Sequence, residues 1–327
     1  MKRFVFLSLF LLFVSLGCRA VQRISTATPK PSGPINCKDD SCLDACLARI
    51  NRELETQPQD EIGGDYAGKD ANFNLVSYKV EGNLILDPDI LWVPSEYKTY
   101  QQDTAAHQRV WDYFISLIPA EQRVWITKYT IFTDGNSNTL AWVDQVEYDD
   151  NSRWELGVDI LDSTNPIYLT ETLTHEVAHL ITLNSDQLIQ NEDFIYTPYQ
   201  NTDVCPQYIS SEGCSTPQSY INKFYQEYWT DIYEDWMKIV YNSNASTDEE
   251  LYQAVDEFYA KYPEQFARAY AATNIKEDMA VSFTQFILEP KPTGNGIIDR
   301  KTRFFYDFPE LVALRKQMIQ SLCSYVQ

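Results

Sequence analysis

The spacing of apolar residues predicts a region of strands followed by a region of helices. Alternation of apolar and polar residues, typical of half-buried strands, occurs at residues 73–88, 125–132, 140–146 and 153–161. Apolar residues at three- and four-residue intervals predict helices at 42–55, 104–118, 218–241, 248–259, 263–272 and 274–288, with two more around residue 175 and ending at residue 323. This order predicts an α+β fold, with a small mixed or antiparallel sheet in 37–165 and a mostly helical part in 166–327.

One predicted helix carries a compact histidine motif. The chain has 3 histidines, and His175 and His179 flank Glu176 in the pattern His-Glu-x-x-His. The apolar stripe of this helix consists of Leu169, Leu173, Val177 and Leu180. Histidines four residues apart project from one helix face, so both imidazoles can reach one tetrahedral metal ion with the glutamate beside the open position. The motif therefore indicates a Zn²⁺ site; the alternative is a surface helix with two incidental histidines.

A third metal ligand is needed, because catalytic zinc is typically held by three protein ligands. No histidine follows His179, so a downstream ligand must be a carboxylate. Glu277 is the best candidate, at the start of the helix predicted at 274–288, and Asp278 is the reserve. Asn274, three residues before Glu277, is a good helix N-cap, so Glu277 also fits a capping box. Both interpretations of Glu277 stay open at this point.

The segments 172–184 and 277–280 together resemble the gluzincins, and more narrowly secreted bacterial zinc metallopeptidases with a Glu-Asp-x-Ala-Glu second motif. The resemblance implies a zincin-like domain over residues 37–327. It also implies Zn²⁺ held by His175, His179 and Glu277. The activity it implies is hydrolysis of peptide bonds in a peptide or protein substrate, with Glu176 as general base for the metal-bound water.

The resemblance carries two further expectations about the site. Gluzincins often stabilise the developing oxyanion with a downstream His or Tyr, and with no histidine available, Tyr306 or Tyr270 is the candidate catalytic residue. The second motif ends in Val281, where the pattern has a glutamate that supports the metal ligands. A non-catalytic surface lipoprotein or binding module with a degenerate metal site is therefore the alternative function.

Two predictions concern other parts of the fold. The strand at 154–159 is expected at the edge of the sheet, where it can pair with an extended substrate backbone. His107, the third histidine, lies on an otherwise polar face of the helix at 104–118 and is expected to be an ordinary surface residue.

The first 36 residues predict export. Residues 1–20 have the positive start and apolar run of a signal peptide. Residues 14–18 resemble a bacterial lipobox, so processing ends either in a lipid on Cys18 or in cleavage after Ala20. Residues 21–36, rich in Ser, Thr and Pro, are expected to form a flexible tether. The protein is thus predicted to be extracytoplasmic, either secreted or lipid-anchored at the bacterial cell surface.

The cysteine count agrees with export. The chain has 7 cysteines, and six remain after Cys18, an even number suited to three disulfides. Cys205 and Cys214 bracket a short polar loop and are expected to pair. The remaining four are expected to pair in one of three ways and tie the N-terminal segment to the C-terminus: Cys37, Cys42, Cys46 and Cys323.

Charge limits the partners. The formal net charge is −21, from 26 basic and 47 acidic side chains. Such a field repels phosphate backbones, so nucleic acid is excluded as a partner. Contact with a membrane is expected only through the lipid on Cys18, and the sequence indicates no oligomeric state.

Overall fold

The computed structural model describes residues 37, 40–54, 73–135, 139–190 and 204–325. Over these ranges the fold is α+β, with an N-terminal mixed sheet followed by a mostly helical part, and this confirms the fold class predicted from the sequence. The predicted signal peptide at 1–20, with Cys18, and the tether at 21–36 lie outside the described residues. None of the described helices has both the length and the apolar character that a membrane span requires.

The main sheet has five strands. They are β1 (Phe73–Glu81), β2 (Leu84–Ile90), β3 (Ile126–Thr133), β4 (Ala141–Gln145) and β5 (Trp154–Asp159). Their spatial order is β2-β1-β3-β5-β4. Strand β1 runs antiparallel to β2 and β3, β3 runs parallel to β5, and β5 runs antiparallel to β4. The sheet is therefore mixed, with one parallel pair near its centre.

The prediction that residues 154–159 form the sheet edge is wrong. Strand β5 lies between β3 and β4, and all of its residues are buried, as expected of an interior strand. The two edge strands are β2 and β4, and β4 is the one next to β5. The alternation of apolar residues marks a strand, but the pairing of strands distant in the chain decides which of them is outermost.

The helices are interrupted by a small second sheet. In chain order they are α1 (Asp40–Leu54), α2 (Lys98–Gln102), α3 (Thr104–Leu117), α4 (Thr170–Leu183), α5 (Tyr220–Tyr228), α6 (Tyr233–Trp236), α7 (Asp248–Lys261), α8 (Ile275–Leu288), α9 (Ile297–Phe304) and α10 (Pro309–Tyr325). Between α4 and α5, the strands β6 (Leu188–Ile189), β7 (Ile209–Ser210) and β8 (Gly213–Ser215) form a three-stranded sheet in the order β6-β8-β7.

Two predicted helices differ from those observed. The aromatic segment 218–241 is not one helix but α5, α6 and a π-helical turn, Met237–Tyr241, with a break after Tyr228. At the break the buried Trp229 indole donates a hydrogen bond of 2.7 Å to Asp278. The helix predicted at 263–272 is reduced to one 3₁₀ turn, Ala269–Ala272. Apolar spacing predicted the buried face of the aromatic segment, but not whether its helix was continuous.

The motif helix α4 packs inside the molecule, against strand β4 and helix α8. Its predicted apolar stripe is fully buried and consists of Leu169, Leu173, Val177 and Leu180. His175, on a different side of the helix, is only 2% exposed. The alternative of a surface helix with incidental histidines is therefore wrong.

Three disulfides connect the described cysteines. The predicted Cys205–Cys214 bond is present. The other two are Cys37–Cys42 and Cys46–Cys323. The second of these joins α1 to α10 across a sequence separation of 277 residues, which confirms that the N-terminal segment is tied to the C-terminus. Three disulfides are consistent with an extracytoplasmic location.

His107 is a core residue, contrary to the prediction of a surface position. It is 0% exposed, and both ring nitrogens have partners. Nδ1 lies 2.8 Å from the Tyr78 hydroxyl, and Nε2 lies 2.8 Å from the Tyr100 carbonyl oxygen. These two hydrogen bonds offset the free-energy cost of burying an imidazole. The polar sequence around His107 does not show that such partners exist.

The burial of His107 predicts a loss of stability in acid. Burial lowers the pKa of His107 below its ordinary value of 6.5, against weaker opposing effects of the Tyr100 carbonyl and Asp103. The unfolded chain then takes up a proton near pH 6.5 that the folded protein does not, so the free energy of unfolding decreases as the pH falls below about 6.5. In urea unfolding of the metal-loaded protein from pH 8 to 5, we expect a smaller acid-induced loss in His107→Gln. Equal losses in both proteins would contradict this.

Candidate metal site

Three side chains from two helices converge at one largely buried site. His175 and His179 project from successive turns of α4, and Glu277 projects from the first turn of α8. Glu277 Oε2 lies 2.9 Å from His175 Nε2 and 3.4 Å from His179 Nε2. The two Nε2 atoms are 3.2 Å apart. The three predicted ligand residues thus form a triangle of ligand atoms.

The size of this triangle fits a tetrahedral metal ion. Zinc bonds of 2.0–2.1 Å place neighbouring ligand atoms about 3.3 Å apart. The observed sides of 2.9, 3.2 and 3.4 Å bracket that value. The buried His/His/Glu group could therefore hold a metal ion.

The protonation of the triad is set by burial and by mutual contact. Burial lowers the pKa of His175, against the opposing effect of Glu277. Burial alone would also lower the pKa of His179, but the Glu277 carboxylate raises it to about 9. Burial alone would raise the pKa of Glu277, yet His179 and His175 hold it well below its ordinary value. The metal-free triad therefore keeps Glu277 as a carboxylate, ready to serve as a ligand.

The start of helix α8 explains how Glu277 reaches the histidines. The Asn274 side chain caps the helix by accepting a hydrogen bond of 3.0 Å from the Glu277 amide. The cap thus uses the backbone of Glu277, while its carboxylate lies against His175 and His179. The Asn274 cap is therefore confirmed, but the Glu277 carboxylate, which a capping box would turn back to the Asn274 amide, lies beside the two histidines instead.

Asp278, the reserve ligand, has a different partner. Its Oδ2 accepts hydrogen bonds from Lys301 Nζ at 2.6 Å and from the Trp229 indole at 2.7 Å. Asp278 and Lys301 are both 1% exposed. This carboxylate is therefore committed to an ion pair in the core, and Glu277 is the one beside the histidines.

Glu176 is oriented by the edge strand. Its Oε2 accepts a hydrogen bond of 2.9 Å from the Val143 amide in β4. Backbone hydrogen bonds run from the Asp159 amide to the Leu140 carbonyl and from the Val146 amide to the Arg153 carbonyl. The even-numbered residues of 140–146 therefore form the backbone hydrogen bonds to β5. The backbone groups of Ala141 and Val143 therefore face the cleft. Sequence analysis missed Val143, because its role depends on β4 being the edge strand.

The two candidate tyrosines lie in different places. Tyr270, in the Ala269–Ala272 turn, lines the cleft, with its ring centroid 5.8 Å from that of His175. Tyr306 packs edge-on against Phe286 at 4.7 Å and lies under Lys291, and it is not among the residues that line the cleft. The structure thus brings Tyr270, and not Tyr306, to the metal triad.

Comparison of the chain with protein-family models, curated proteins and solved structures finds no match. The interpretation of the site therefore depends on its own geometry. What that geometry establishes is a group with His-Glu-x-x-His spacing and a distant glutamate that could bind a metal ion.

One atom of the triad lacks a partner. His175 Nδ1 is buried and has no hydrogen-bond partner among the described residues. Metal-binding histidines almost always donate this second N–H to a carboxylate or carbonyl. Val281, buried one turn after Glu277 on α8, is the position at which the resembled motif carries a glutamate. The absence of a carboxylate at position 281 is therefore consistent with the lack of a partner for His175 Nδ1.

The cleft beside the triad has one charged and one apolar side. Lys276 and Glu212 form an ion pair of 2.8 Å that lines it, and this pair lowers the pKa of Glu212 against the effect of burial. The apolar lining consists of Leu140, Ala141, Trp142, Val143, Trp154 and Leu183. The Trp142 ring lies against Gly157, where any side chain would collide with it. Sequence reasoning did not identify Glu212 or Lys276 as cleft residues, because only the fold brings α8 to the β7–β8 turn.

Proposed function

We propose that the protein is a zinc-dependent peptidase of the gluzincin type, with His175, His179 and Glu277 as metal ligands. The observation that carries the proposal is the convergence of the three ligand atoms within 2.9–3.4 Å, with Glu176 lining the same cleft. Two imidazoles and one carboxylate are a donor set used by catalytic zinc in peptidases, which leaves a fourth position open.

In the proposed hydrolysis, the triad, Glu176 and Tyr270 each have a separate role. A zinc ion held by His175, His179 and Glu277 would supply a Lewis acid that polarises a carbonyl oxygen and makes water more acidic. Glu176, oriented by the Val143 amide, accepts the proton of the attacking water and returns it to the leaving amine. Tyr270, whose ring centroid lies 5.8 Å from that of His175, would donate a hydrogen bond to the developing oxyanion.

Strand β4 supports a peptide as the substrate. Ala141 and Val143 line the cleft with their outward-facing backbone groups. The Val143 amide is bonded to Glu176, and the other groups would pair with an extended chain, as a strand edge does. A peptide or protein segment in β conformation would lie antiparallel or parallel to β4 and bring one carbonyl to the triad. We further propose that this activity is extracytoplasmic, with any membrane anchor at Cys18.

The second candidate function is a non-catalytic binding module with a degenerate metal site. It is favoured by Val281 and by His175 Nδ1, which has no hydrogen-bond partner among the described residues, because a metal-binding histidine binds less tightly without such a partner. The two functions differ in turnover, so a measurement of hydrolysis together with metal content separates them.

The proposed function is tested by metal content and peptide hydrolysis measured on one preparation. We expect one zinc per chain, cleavage of an unstructured protein such as denatured casein, and loss of both in His179→Gln. His107→Gln is the matched control, because it removes the one histidine outside the triad and should keep its zinc. Zinc without cleavage of any peptide in a diverse library would support the binding module. Absence of stoichiometric zinc would refute the peptidase.

Restoring the missing carboxylate should strengthen metal binding. Val281→Glu restores the carboxylate that the resembled motif carries one turn after Glu277, and hydrogen-bond partners of metal ligands change metal affinity by roughly 10- to 100-fold. We expect the zinc affinity, measured by competition with a chromophoric chelator, to rise by about tenfold at the low end of that range. Val281→Met, similar in length but without an oxygen, is the control. A folded Val281→Glu protein with unchanged affinity would contradict this role for position 281.

A further inference from the structure

Three carboxylates meet at the carboxyl ends of two parallel strands, away from the histidine triad. Phe132 of β3 is in register with Asp159 of β5, so the two strands end side by side. Asp134 follows β3, Asp159 is the last residue of β5, and Asp162 lies three residues further on. One oxygen from each carboxylate lies within 4.8 Å of the others.

Backbone amides already hold this cluster in place. Asp159 accepts hydrogen bonds from the amides of Asp134 at 2.8 Å and Leu161 at 2.7 Å. Asp134 Oδ2 accepts one of 3.0 Å from the Thr139 amide. Asp134 is 8% exposed, and its Oδ1 is buried with no hydrogen-bond partner among the described residues. A buried carboxylate oxygen without a donor is costly and indicates that a positive ligand belongs beside it.

The two buried carboxylates of the cluster, Asp134 and Asp159, have no basic side chain as an ion-pair partner among the described residues. Burial, and in addition the charges of Asp162 and Asp134, raise the pKa of Asp159 to about 7, although two amides oppose this. The repulsion would be relieved by a cation at the centre of the three carboxylates.

We propose that Asp134, Asp159 and Asp162 bind one Ca²⁺ ion. The donor set contains only oxygen, which suits a hard cation and not zinc. Oxygens bonded to Ca²⁺ at about 2.4 Å are separated by at most about 4.8 Å, so the cluster fits within one coordination shell. Mg²⁺ keeps several water molecules and is a poorer match for a site in which two of three carboxylates are buried.

The position of this site connects it to the cleft. The Thr139 amide donates to Asp134, and the Leu140 carbonyl accepts a hydrogen bond of 2.9 Å from the Asp159 amide. These two residues lead directly into β4, the strand whose Val143 amide orients Glu176. Bound Ca²⁺ would therefore stabilise the start of β4. The site itself does not depend on the proposed peptidase function.

Thermal unfolding of the full-length protein with zinc added tests the proposal. Millimolar Ca²⁺ should raise the midpoint in the wild type and not in Asp162→Asn, which removes the partly exposed ligand. Without Ca²⁺, Asp162→Asn should be at least as stable as the wild type, because it removes repulsion within the cluster. Asp149→Asn, the same charge change at an exposed position, should keep the full Ca²⁺ response. Mg²⁺ at the same concentration should have a smaller effect.

Terbium provides a second measurement that does not depend on stability. Tb³⁺ luminescence excited through the protein's aromatic rings should saturate at one ion per chain and be displaced by Ca²⁺. Asp134→Asn should weaken this binding by roughly tenfold or more, because ligand charge sets the affinity of such sites. An equal response to Ca²⁺ in the wild type and Asp162→Asn, or to Mg²⁺ and Ca²⁺, would show only screening of the net charge and overturn the proposal. No response in the wild type would overturn it as well.

Discussion

In Glu176→Gln, we expect zinc to remain bound at one per chain while kcat falls by a factor of roughly 100 to 10,000, the usual contribution of a general base. The reason is specific to this geometry. The carboxamide oxygen of glutamine can still accept the hydrogen bond from the Val143 amide, now 2.9 Å from Glu176 Oε2. The orientation of the side chain is thus preserved, and only its capacity to accept a proton is lost. Metal analysis and steady-state hydrolysis of the same preparation measure both quantities.

Glu171→Gln is the matched control for this experiment. Glu171 lies one turn earlier on the same helix and forms an ion pair of 3.5 Å with Arg268, and it is not among the residues that line the cleft. We expect this variant to keep most of its activity. Hydrolysis by Glu176→Gln at the wild-type rate would refute the assigned mechanism while leaving the metal site intact.

In Asp278→Asn, we expect the free energy of unfolding to fall by roughly 3–5 kcal/mol, the cost of leaving one partner of a buried ion pair uncompensated. Lys301 Nζ would keep only the Gln265 carbonyl at 2.6 Å as a neutral acceptor besides the new amide. Burial already raises the pKa of Asp278 and lowers that of Lys301, so both charges depend on each other. Chemical denaturation followed by aromatic fluorescence measures the loss.

Substitutions of Glu277 and Asp278 should have opposite effects on zinc binding and on stability. Glu277→Gln should lose zinc and remain folded, whereas Asp278→Asn should keep zinc below its unfolding midpoint. The double variant Asp278→Asn, Lys301→Met should recover part of the stability, because it leaves no unpaired charge. Asp235→Asn, which breaks an ion pair with Lys261 at the surface, should change stability little. Loss of zinc from a fully stable Asp278→Asn protein would show that Asp278 is a ligand.

The parts of the site that follow from local spacing were predictable from the sequence. His175 and His179 lie on one helix face because of their four-residue separation, and Asn274 places Glu277 in the first turn of α8. The disulfide between Cys205 and Cys214 joins cysteines at a sequence separation of 9 and needed only proximity in the chain. In each case short-range geometry limits the alternatives.

The parts that depend on distant pairing were not predictable. Whether β4 or β5 is the edge strand is decided by contacts with β3, so Val143 could not be identified as the partner of Glu176. His107 is buried because Tyr78 and Tyr100 satisfy its ring nitrogens, and no pattern in its own helix shows this.

Contacts between distant residues also decide which tyrosine lies near the triad and where the acidic cluster forms. The choice between Tyr306 and Tyr270 required the path of the chain between α7 and α10, which the apolar pattern leaves open. The acidic cluster was also missed, because Asp134 and Asp159 are separated by 25 residues and meet only through the parallel pairing of β3 and β5.

The Cys46–Cys323 bond closes a covalent ring that contains His175, His179 and Glu277. A single cut in any loop between these two cysteines leaves the two pieces joined. If Cys18 carries a lipid, a protease that nicks the protein once in this interval cannot shed α8, with Glu277, from the cell surface. After such a cut, release would require a cut before Cys37 or between Cys42 and Cys46, a second cut within the interval, or a reductant that opens the Cys46–Cys323 bond.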